Sequence, residues 1–413
     1  MNLFRIIIPL LLLTFFEYYS FQAFRTVSAD WSDSLRRYTT FAWWSIPAAF
    51  AFILVAGLIT DFQTWNAHLR SYITAFFVIL LLTKLVISLP MILDDFRRLT
   101  LLLASNFTDK PVDYTSRSRF LATASILLGA LPFVTLTYGM LGSMFKFTLH
   151  EQPIKIVDLP EELEGLRVVQ ISDIHSGSFT QKEPLFHAID MINKQNPDIV
   201  VFTGDLVNNV ATEIEEYIDV FSGIKAKYGV FSVLGNHDYG DYVRWDSPAE
   251  HQANLNRLFD NQKKLGWDLM RNENRILSIN GKDVALIGVE NFSAKPQFPK
   301  YGKLAESAAG TENAALRILL SHDPSHWDYE VNKKPEFANI QLTLSGHTHG
   351  FQFGIEIPGL IKWSPAQFSY KQWAGLYEER GQQIYVNRGL GCLGYPGRVG
   401  IMPEITLLTF EKA

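Results

Sequence analysis

The chain is poor in cysteine and in charged residues. Its one cysteine, Cys392, among 413 residues excludes both an intrachain disulfide framework and a zinc site built on cysteines. Asp, Glu, Lys and Arg make up 19% of the chain, against about 25% in average soluble domains. The formal net charge of −5 argues against a dedicated nucleic-acid-binding domain, because such domains are strongly basic. We therefore expect no nucleic-acid partner.

Apolar residues are abundant, and they are concentrated near the beginning of the chain. They reach 47% of all residues, with 30 phenylalanines. Long apolar segments, each able to cross about 30 Å of hydrocarbon as a helix, occupy residues 6–24, 41–60, 72–93 and 120–145. Aromatic residues near the segment ends favour the headgroup region; they are Trp43, Trp44, Tyr72 and Tyr138. We predict an all-α transmembrane domain of about four helices over residues 1–149, with membrane lipids as partners.

The first apolar segment has two interpretations. Arg5, the apolar run and the small residues around Ala29 are typical of a cleaved signal peptide. A retained segment instead gives four membrane spans. The positive-inside rule, by which loops rich in Lys and Arg lie in the cytoplasm, distinguishes the two interpretations. The loops after the first and third segments hold most of the cations, namely Arg25, Arg36, Arg37, Arg97, Arg98, Lys110, Arg117 and Arg119, against Arg5, Arg70, Lys146 and Lys155 on the other side. We favour retention, which places residues 150–413 outside the cytoplasmic membrane, in a periplasm or an equivalent space.

Two ionisable residues, Glu17 and Lys84, lie at membrane depth. A functional role is the default hypothesis for such residues. The structural alternative is a buried pair, or a glutamate close enough to the interface to reach it. No transport-like polar pathway accompanies them, and we therefore favour the structural alternative.

From about Pro153 the chain alternates short β-rich runs with helical stretches. Strands that alternate with helices indicate sheets covered by helices. We predict an α/β domain over residues 150–413. Its expected strands are 166–172, 198–203, 230–234, 284–289, 316–320 and 340–344, and its expected helices are 183–194 and 211–227.

Polar clusters follow these predicted strands directly. Open α/β sheets bind ligands beyond the carboxyl ends of their strands, so we expect the clusters to converge in space. They contain Asp173, His175, Asp205, Asn236, His237, His322, His347 and His349. Oxygen and imidazole ligands without thiolates suit Mn, Fe or Zn. The set exceeds the needs of one ion and fits two ions that share a carboxylate, an arrangement used for displacement at phosphorus.

Each motif alone is more often a turn or a helix cap, but their combined series is specific. The series Asp173-x-His175, Gly204-Asp205, Gly235-Asn236-His237-Asp238, His322 and Gly346-His347-Thr348-His349 resembles the calcineurin-like metallophosphoesterase superfamily. The segment 387–391, with Arg388, is similar to a membrane-associated or exported subgroup. The resemblance implies a four-layer α/β/β/α sandwich that hydrolyses phosphoesters with two divalent metal ions.

The resemblance also implies individual roles. One metal would be bound by Asp173, His175, Asp205 and His349, and the other by Asp205, Asn236, His322 and His347. His237 would act as the acid, with Asp238 positioned to orient it. The family often has Gly-Gly-Gln after its last histidine, whereas here Gly350 precedes Phe351 and Gln352. The extra ring affects the expected shape of the substrate entrance but not the ligands.

The substrate is less well defined by the sequence. Arg388 either clamps a phosphoryl oxygen, since a guanidinium matches phosphate bidentately, or is a surface charge after a strand. Aromatic residues either pack loops or form a rim suited to a lipid-linked phosphodiester or pyrophosphate; they are Tyr239, Tyr242, Trp245, Trp363, Phe368, Tyr370, Trp373 and Tyr377. Resemblance to UDP-2,3-diacylglucosamine pyrophosphatases favours the lipid option. The alternatives are a metal-binding membrane sensor or scaffold, and a phosphodiesterase acting on a soluble nucleotide.

Overall fold

The computed structural model describes residues 4–107, 116–357 and 359–413. Contacts divide the chain into two compact units, Met1–Gly139 and Met140–Ala413. Lys110, one of the loop cations counted above, lies outside the described residues.

The first unit is helical, as the sequence predicts. Its helices are α1 (Phe4–Val27), α2 (Asp33–Thr60), α3 (Ala67–Ser105) and all but the last three residues of α4 (Arg119–Gly142). Within the described part of the chain, α2, α3 and α4 are long and apolar enough to cross a membrane. The last helix ends before the predicted Phe145, because the chain turns after Gly142 and enters a strand at Thr148.

Glu17 and Lys84 form a buried pair in this unit. Lys84 Nζ lies 2.9 Å from Glu17 Oε1 and 3.2 Å from the centroid of the Trp43 ring. The carboxylate and the aromatic face together compensate a cation that water cannot reach. The structural interpretation of these two residues, a buried pair, agrees with this geometry.

The second unit contains two six-stranded sheets. Sheet I has the order β1-β14-β2-β3-β4-β5, with β1 (Thr148–Ile156), β2 (Arg167–Ile171), β3 (Ile199–Phe202), β4 (Val230–Ser232), β5 (Asp268–Leu269) and β14 (Glu404–Lys412). Sheet II has the order β12-β13-β9-β8-β7-β6, with β6 (Glu273–Ile279), β7 (Lys282–Gly288), β8 (Leu316–Leu320), β9 (Leu342–Ser345), β12 (Gly375–Glu379) and β13 (Gln382–Val386). A separate two-stranded ribbon pairs β10 (Ile355–Ile357) with β11 (Ile361–Trp363).

Helices cover the sheets, and they are α5 (Glu183–Lys194), α6 (Ile218–Phe221), α7 (Pro248–Lys264) and α8 (Leu304–Ala308). The predicted helix 211–227 is shorter than expected. Residues Ala211–Tyr217 form 3₁₀ turns before α6. The Glu213 carboxylate accepts hydrogen bonds from the three backbone amides that precede these 3₁₀ turns, and it thereby holds the chain in a tight turn at their start. At the other end, Gly223 follows the end of α6.

Three apolar cores separate the layers. The central core lies between the sheets and includes Val168 from sheet I and Ile318 from sheet II. The opposite face of sheet I packs Val169 against Leu185 of α5. On the outer face of sheet II, Leu319 belongs to a cluster with helical residues such as Leu304 of α8. The unit is therefore the predicted α/β/β/α sandwich.

The strand directions place the polar loops at one edge. Strands β2, β3 and β4 run parallel, and so do β8, β9 and β13. The loops after these strands carry the predicted site residues. Strand β14 pairs with β1 in parallel and with β2 in antiparallel orientation, so it lies inside sheet I.

Candidate metal centre

The backbone of the polar loops is strained at the predicted ligands. A positive φ is rare outside glycine, and it is found here at Asp173 (48°), His175 (43°), Asp205 (61°), His347 (71°) and His349 (50°). Such conformations cost free energy and persist only where the surroundings enforce them. The loops are therefore built to aim these side chains.

The side chains converge in two groups, each with ligand atoms within 4.8 Å of one another. Group A is Asp173, His175 and His349, and group B is Asp205, His322 and His347. In group A, His349 Nε2 lies 3.0 Å from His175 Nε2 and 3.2 Å from Asp173 Oδ1. In group B, His347 Nδ1 lies 3.2 Å from His322 Nε2.

Asp205 connects the two groups. Its Oδ2 lies 3.1 Å from His322 Nε2 in group B and 3.5 Å from His175 Nε2 in group A. Burial alone would raise the pKa of Asp205, but the imidazoles of His322 and His237 outweigh it and hold this pKa well below its usual range. The shared carboxylate is thus ionised, as a ligand to two cations must be.

Backbone and side-chain partners fix which nitrogens of group B face inward. His322 Nδ1 donates to the Thr203 carbonyl at 2.8 Å, so Nε2 is the nitrogen that faces Asp205 and that would bind a metal after losing its proton. Burial lowers the pKa of His322, but the Asp205 carboxylate outweighs it and raises this pKa to about 10. Without a cation, group B therefore holds a proton.

His347 is oriented by a hydroxyl and a carboxylate. Its Nε2 lies 2.7 Å from the Tyr370 hydroxyl, and that hydroxyl donates to Asp323 Oδ2 at 3.4 Å. The Nε2 atom therefore carries the proton and donates to Tyr370, so Nδ1 is free to bind a metal. Acidic partners of this kind raise the basicity of a histidine ligand.

Group A has a cation behind it instead. Arg398 is fully buried, and its Nη2 lies 3.3 Å from His349 Nδ1. The guanidinium also donates to the backbone carbonyls of Arg388, Gly389 and Gly391. Arg398 therefore holds the loop after β13 against His349.

The residues present fit metal ions. Asn236 Oδ1 is buried and has no hydrogen-bond partner among the described residues, although its Nδ2 donates to the Tyr242 hydroxyl at 2.9 Å. An unsatisfied buried oxygen is costly unless something absent from the protein, such as a cation, binds it. Glycines make room for the ligands, because a Cβ at Gly235 would lie 2.2 Å from Asp205 Oδ1 and one at Gly346 would lie 2.2 Å from Asp173 Oδ2. The nitrogen and oxygen donors suit Mn, Fe or Zn.

His237 lies beside the candidate metal ligands and faces the cavity. Its Nδ1 donates to the Asn208 carbonyl at 2.6 Å, which leaves Nε2 available. The Asp238 carboxylate does not orient this ring directly, contrary to the sequence-based role. It accepts hydrogen bonds from the backbone amides of Asp205, Leu206, Val207 and Gly235. Asp238 thus acts on the ring only through the loop that carries Asn208.

Arg388 requires a correction. Its guanidinium is buried between two carboxylates, with Nη1 on Glu404 and Nη2 at 2.6 Å from Glu356 Oε1. A phosphate clamp needs a guanidinium open to the cavity, and Arg388 is absent from the described cavity lining. Its role in this structure is to tie β14 to the ribbon strand β10.

A cavity of about 460 Å³ opens over the two groups. Sequence reasoning missed one cation in its lining, Lys295, whose Nζ donates to the Ser369 carbonyl at 2.7 Å and lies 3.9 Å from the centroid of the Tyr370 ring. It also missed Phe298, whose ring centroid is 4.8 Å from that of His347. Neither follows a strand as part of a polar cluster, so no signal marked them. Phe351, the extra ring, lines the cavity and is half exposed.

The domain architecture matches known families. Residues 166–351 match the family model "Calcineurin-like phosphoesterase", and residues 4–143 match the model "Probable Calcineurin-like phosphoesterase, transmembrane domain". The metallophosphoesterase YkuE of Bacillus subtilis (strain 168) is 30% identical over 270 residues, which cover 63% of this chain and 85% of that protein. The chain belongs to the calcineurin-like metallophosphoesterases. It is an integral membrane protein of that family, and its family uses divalent metals.

Other relatives extend the comparison. A transmembrane protein with a metallophosphoesterase domain from Danio rerio is 29% identical over 276 residues, which cover 63% of this chain and 58% of that protein. The match thus spans less than two thirds of the Danio protein. The solved structure of a phosphopantetheinyl hydrolase from Mycobacterium tuberculosis aligns with 57% of this metallophosphoesterase and 91% of that chain, at 14% identity and a TM-score of 0.31.

Proposed function

We propose that this metallophosphoesterase is a membrane-anchored phosphohydrolase with two divalent cations, one held by each ligand group. The observation that carries the proposal is the position of Asp205, whose Oδ2 lies within 3.5 Å of imidazoles in both groups below an open cavity. Asp173, His175, Asp205 and His349 would hold one ion. Asp205, Asn236, His322 and His347 would hold the other.

The cations, when bound, would supply Lewis-acid stabilisation of phosphoryl oxygens and a water of lowered pKa. The protein supplies positioning and proton transfer. Lys295, at the cavity wall, attracts the anionic phosphate group. His237 Nδ1 donates to the Asn208 carbonyl, which leaves Nε2 as the second site of protonation; the imidazolium form would donate its Nε2 proton to the leaving oxygen.

A lipid-linked phosphoester or pyrophosphate of the cell envelope is the proposed substrate. Its support is the membrane domain together with an apolar cavity wall that includes Phe298, Phe351 and Leu393. The excess of Lys and Arg in the loops after the first and third helices supports a catalytic unit outside the cytoplasmic membrane. A sensor or scaffold would not need a full ligand set, which disfavours that alternative.

The activity is tested with the purified full-length protein. It is stripped of metal, reloaded separately with Mn, Fe and Zn, and assayed on chromogenic monoesters and diesters and on lipid pyrophosphates. We expect hydrolysis of at least one class, two bound ions per chain by elemental analysis, and loss of turnover with a chelator. Turnover that persists in the metal-free protein would contradict the proposal.

The role of His237 is tested with substrates that differ in their leaving group. His237→Ala should slow esters with poor leaving groups by about 10²–10⁴-fold, the range for a general acid, and slow nitrophenyl esters far less. Its metal content should stay near normal. Similar losses on both substrates would show that His237 is not the acid.

Sidedness is tested by reporters fused after Ala413. A reporter that needs export should be active, and a reporter that works only in the cytoplasm should be inactive. The opposite pattern would place the catalytic unit in the cytoplasm and make a soluble nucleotide or a lipid of the cytoplasmic leaflet the leading substrate.

A further inference from the structure

The ribbon of β10 and β11 has its polar and apolar faces reversed relative to a water-exposed strand pair. On the opposite face Glu356 and Lys362 are paired across the two strands; Glu356 is half-buried, and Lys362 is exposed along its stem while its ammonium group contacts the protein. Glu356 contacts Arg388 at 2.6 Å, and Lys362 Nζ donates to the Ala374 carbonyl at 2.5 Å. A surface ribbon normally places such charges outward and its apolar residues inward.

The outward face is apolar throughout its described residues. Alternation brings the side chains of both strands to this face, and the register pairs Ile355 with Trp363 and Ile357 with Ile361. These four side chains are exposed, by 36% to 51%, and Leu360 in the connecting turn is 74% exposed. A contiguous exposed apolar patch of this kind marks an interaction site.

The apolar surface continues beyond the ribbon. Phe353, just before β10, packs its ring edge-on to Trp363 with 6.4 Å between centroids. At the cavity mouth, Phe351 and Leu393 are also exposed, and Phe368 is 80% exposed. Exposed apolar side chains are thus found both at the substrate entrance and on the ribbon.

The base of the ribbon is connected, within the second unit, to Ser143, the residue that follows α4 in the chain. Ser143 directly follows α4, and its Oγ accepts a hydrogen bond from the Arg398 amide at 3.0 Å. The next residue, Val399, accepts from the Gly354 amide at 2.9 Å and donates to the Gln352 carbonyl at 2.7 Å. Arg398 and Val399 thus connect the base of the ribbon with Ser143, the first residue after the last apolar helix.

From this continuity we propose that the ribbon face formed by Ile355, Ile357, Leu360, Ile361 and Trp363 docks into the lipid bilayer surface. Isoleucine and leucine side chains gain free energy by leaving water, and tryptophan favours the headgroup region. Docking would hold the cavity mouth, with Phe351 and Leu393, at the membrane surface. The proposal concerns the position of the catalytic unit and does not depend on which bond it hydrolyses.

The test uses a fluorophore placed on the ribbon of the full-length protein. Leu360→Cys can be labelled selectively, because the natural Cys392 is buried. Ile357→Cys provides a second position on the same face. Ile276→Cys on β6 is the matched control, since Ile276 is an exposed isoleucine outside the ribbon. The labelled proteins are placed in single-copy lipid nanodiscs that contain a quencher on the lipid acyl chains.

We expect the lipid-borne quencher to remove most of the fluorescence at positions 360 and 357 and little at position 276, with the reverse order for aqueous iodide. Iodide quenching at 360 equal to that at 276 would overturn the proposal. Protection from iodide only in discs that hold two copies would show that a second chain covers the face, which would also overturn it. Because the readout requires no turnover, an inactive preparation leaves this test intact.

Discussion

The two groups of the candidate metal centre are similar in composition but differ in what lies behind them. Each has one carboxylate and two imidazoles. Group A is backed by the Arg398 guanidinium at 3.3 Å from His349, whereas group B is backed by Asp323 through the Tyr370 hydroxyl. A carboxylate behind a histidine ligand raises its basicity, whereas a nearby cation disfavours further positive charge on the ring. We infer that an ion in group B is held more tightly than an ion in group A.

The largest loss of activity should come from a substitution of Asp205, because its carboxylate contacts imidazoles of both groups. Asp205→Asn keeps the shape of the side chain but removes the shared charge, so both ions should be lost together. Because the two ions would supply several kcal/mol of transition-state stabilisation, we expect the hydrolysis rate of this variant to fall by at least about 10³-fold. Elemental analysis and hydrolysis rates check this, with the exposed Asp219→Asn as control. A variant that still holds two ions would show that Asp205 does not connect the groups.

A second variant separates the groups. Tyr370→Phe removes the hydroxyl that accepts from His347, and affinity for the ion of group B should fall by about 10–100-fold, as for other partners of metal ligands. The ion of group A should be retained. Titration of the metal-free protein measures both affinities. Tyr377→Phe is the control, since its hydroxyl accepts from the Trp373 amide and not from a ligand. An equal fall in the affinities for both ions would contradict the assignment of Tyr370 to group B alone.

Proton release provides a third distinction. The pKa of His322 is about 10 without a cation, and a ligand nitrogen must be neutral, so filling group B should release about one proton per ion near pH 7.5. Affinity for this ion should rise with pH and fall with acid, by about tenfold per unit. Calorimetry in buffers of different ionisation enthalpy measures the released proton. Uptake without proton release would indicate that His322 is already neutral.

The smallest effect is expected at the turn after His349. Phe351 has a φ of 51°, which costs about 1–2 kcal/mol in a residue with a Cβ, while glycine costs about 0.5–1 kcal/mol in chain entropy. Phe351→Gly should therefore change the free energy of unfolding by less than about 1 kcal/mol. Phe351→Val should lower the melting temperature, because a β-branched residue tolerates this conformation poorly. Thermal unfolding of both variants is the measurement, and equal melting temperatures would show that this turn is not strained.

The convergence of the candidate ligands was predictable because each belongs to a short motif at the end of a strand. Asp173 and His175 follow one strand, and His347 and His349 follow another, so their convergence follows from sheet topology alone. The supporting residues were not predictable in the same way. Tyr370 and Arg398 reach the ligands from loops far along the chain, and only tertiary packing reveals their contacts.

The errors have the same origin. Arg388 lies beside the predicted site in sequence, but the buried Glu404 and Glu356 carboxylates attract its guanidinium away from the cavity. Lys295, which no motif marks, is the cation that lines the cavity instead. Charge type and strand position can be read from a sequence, whereas the partner of a long flexible side chain depends on the packed structure.

Because β14 lies inside sheet I, this sheet cannot be completed until the end of the chain has been synthesised. Strand β1 follows the membrane helices directly, yet its partner β14 does not begin until Glu404. During translation the helical unit can enter the bilayer while sheet I still lacks the strand that joins β1 to β2. An unfinished sheet with open edges is prone to aggregation, so the catalytic unit exposes an unpaired β1 and an unpaired edge of β2 until synthesis passes β14.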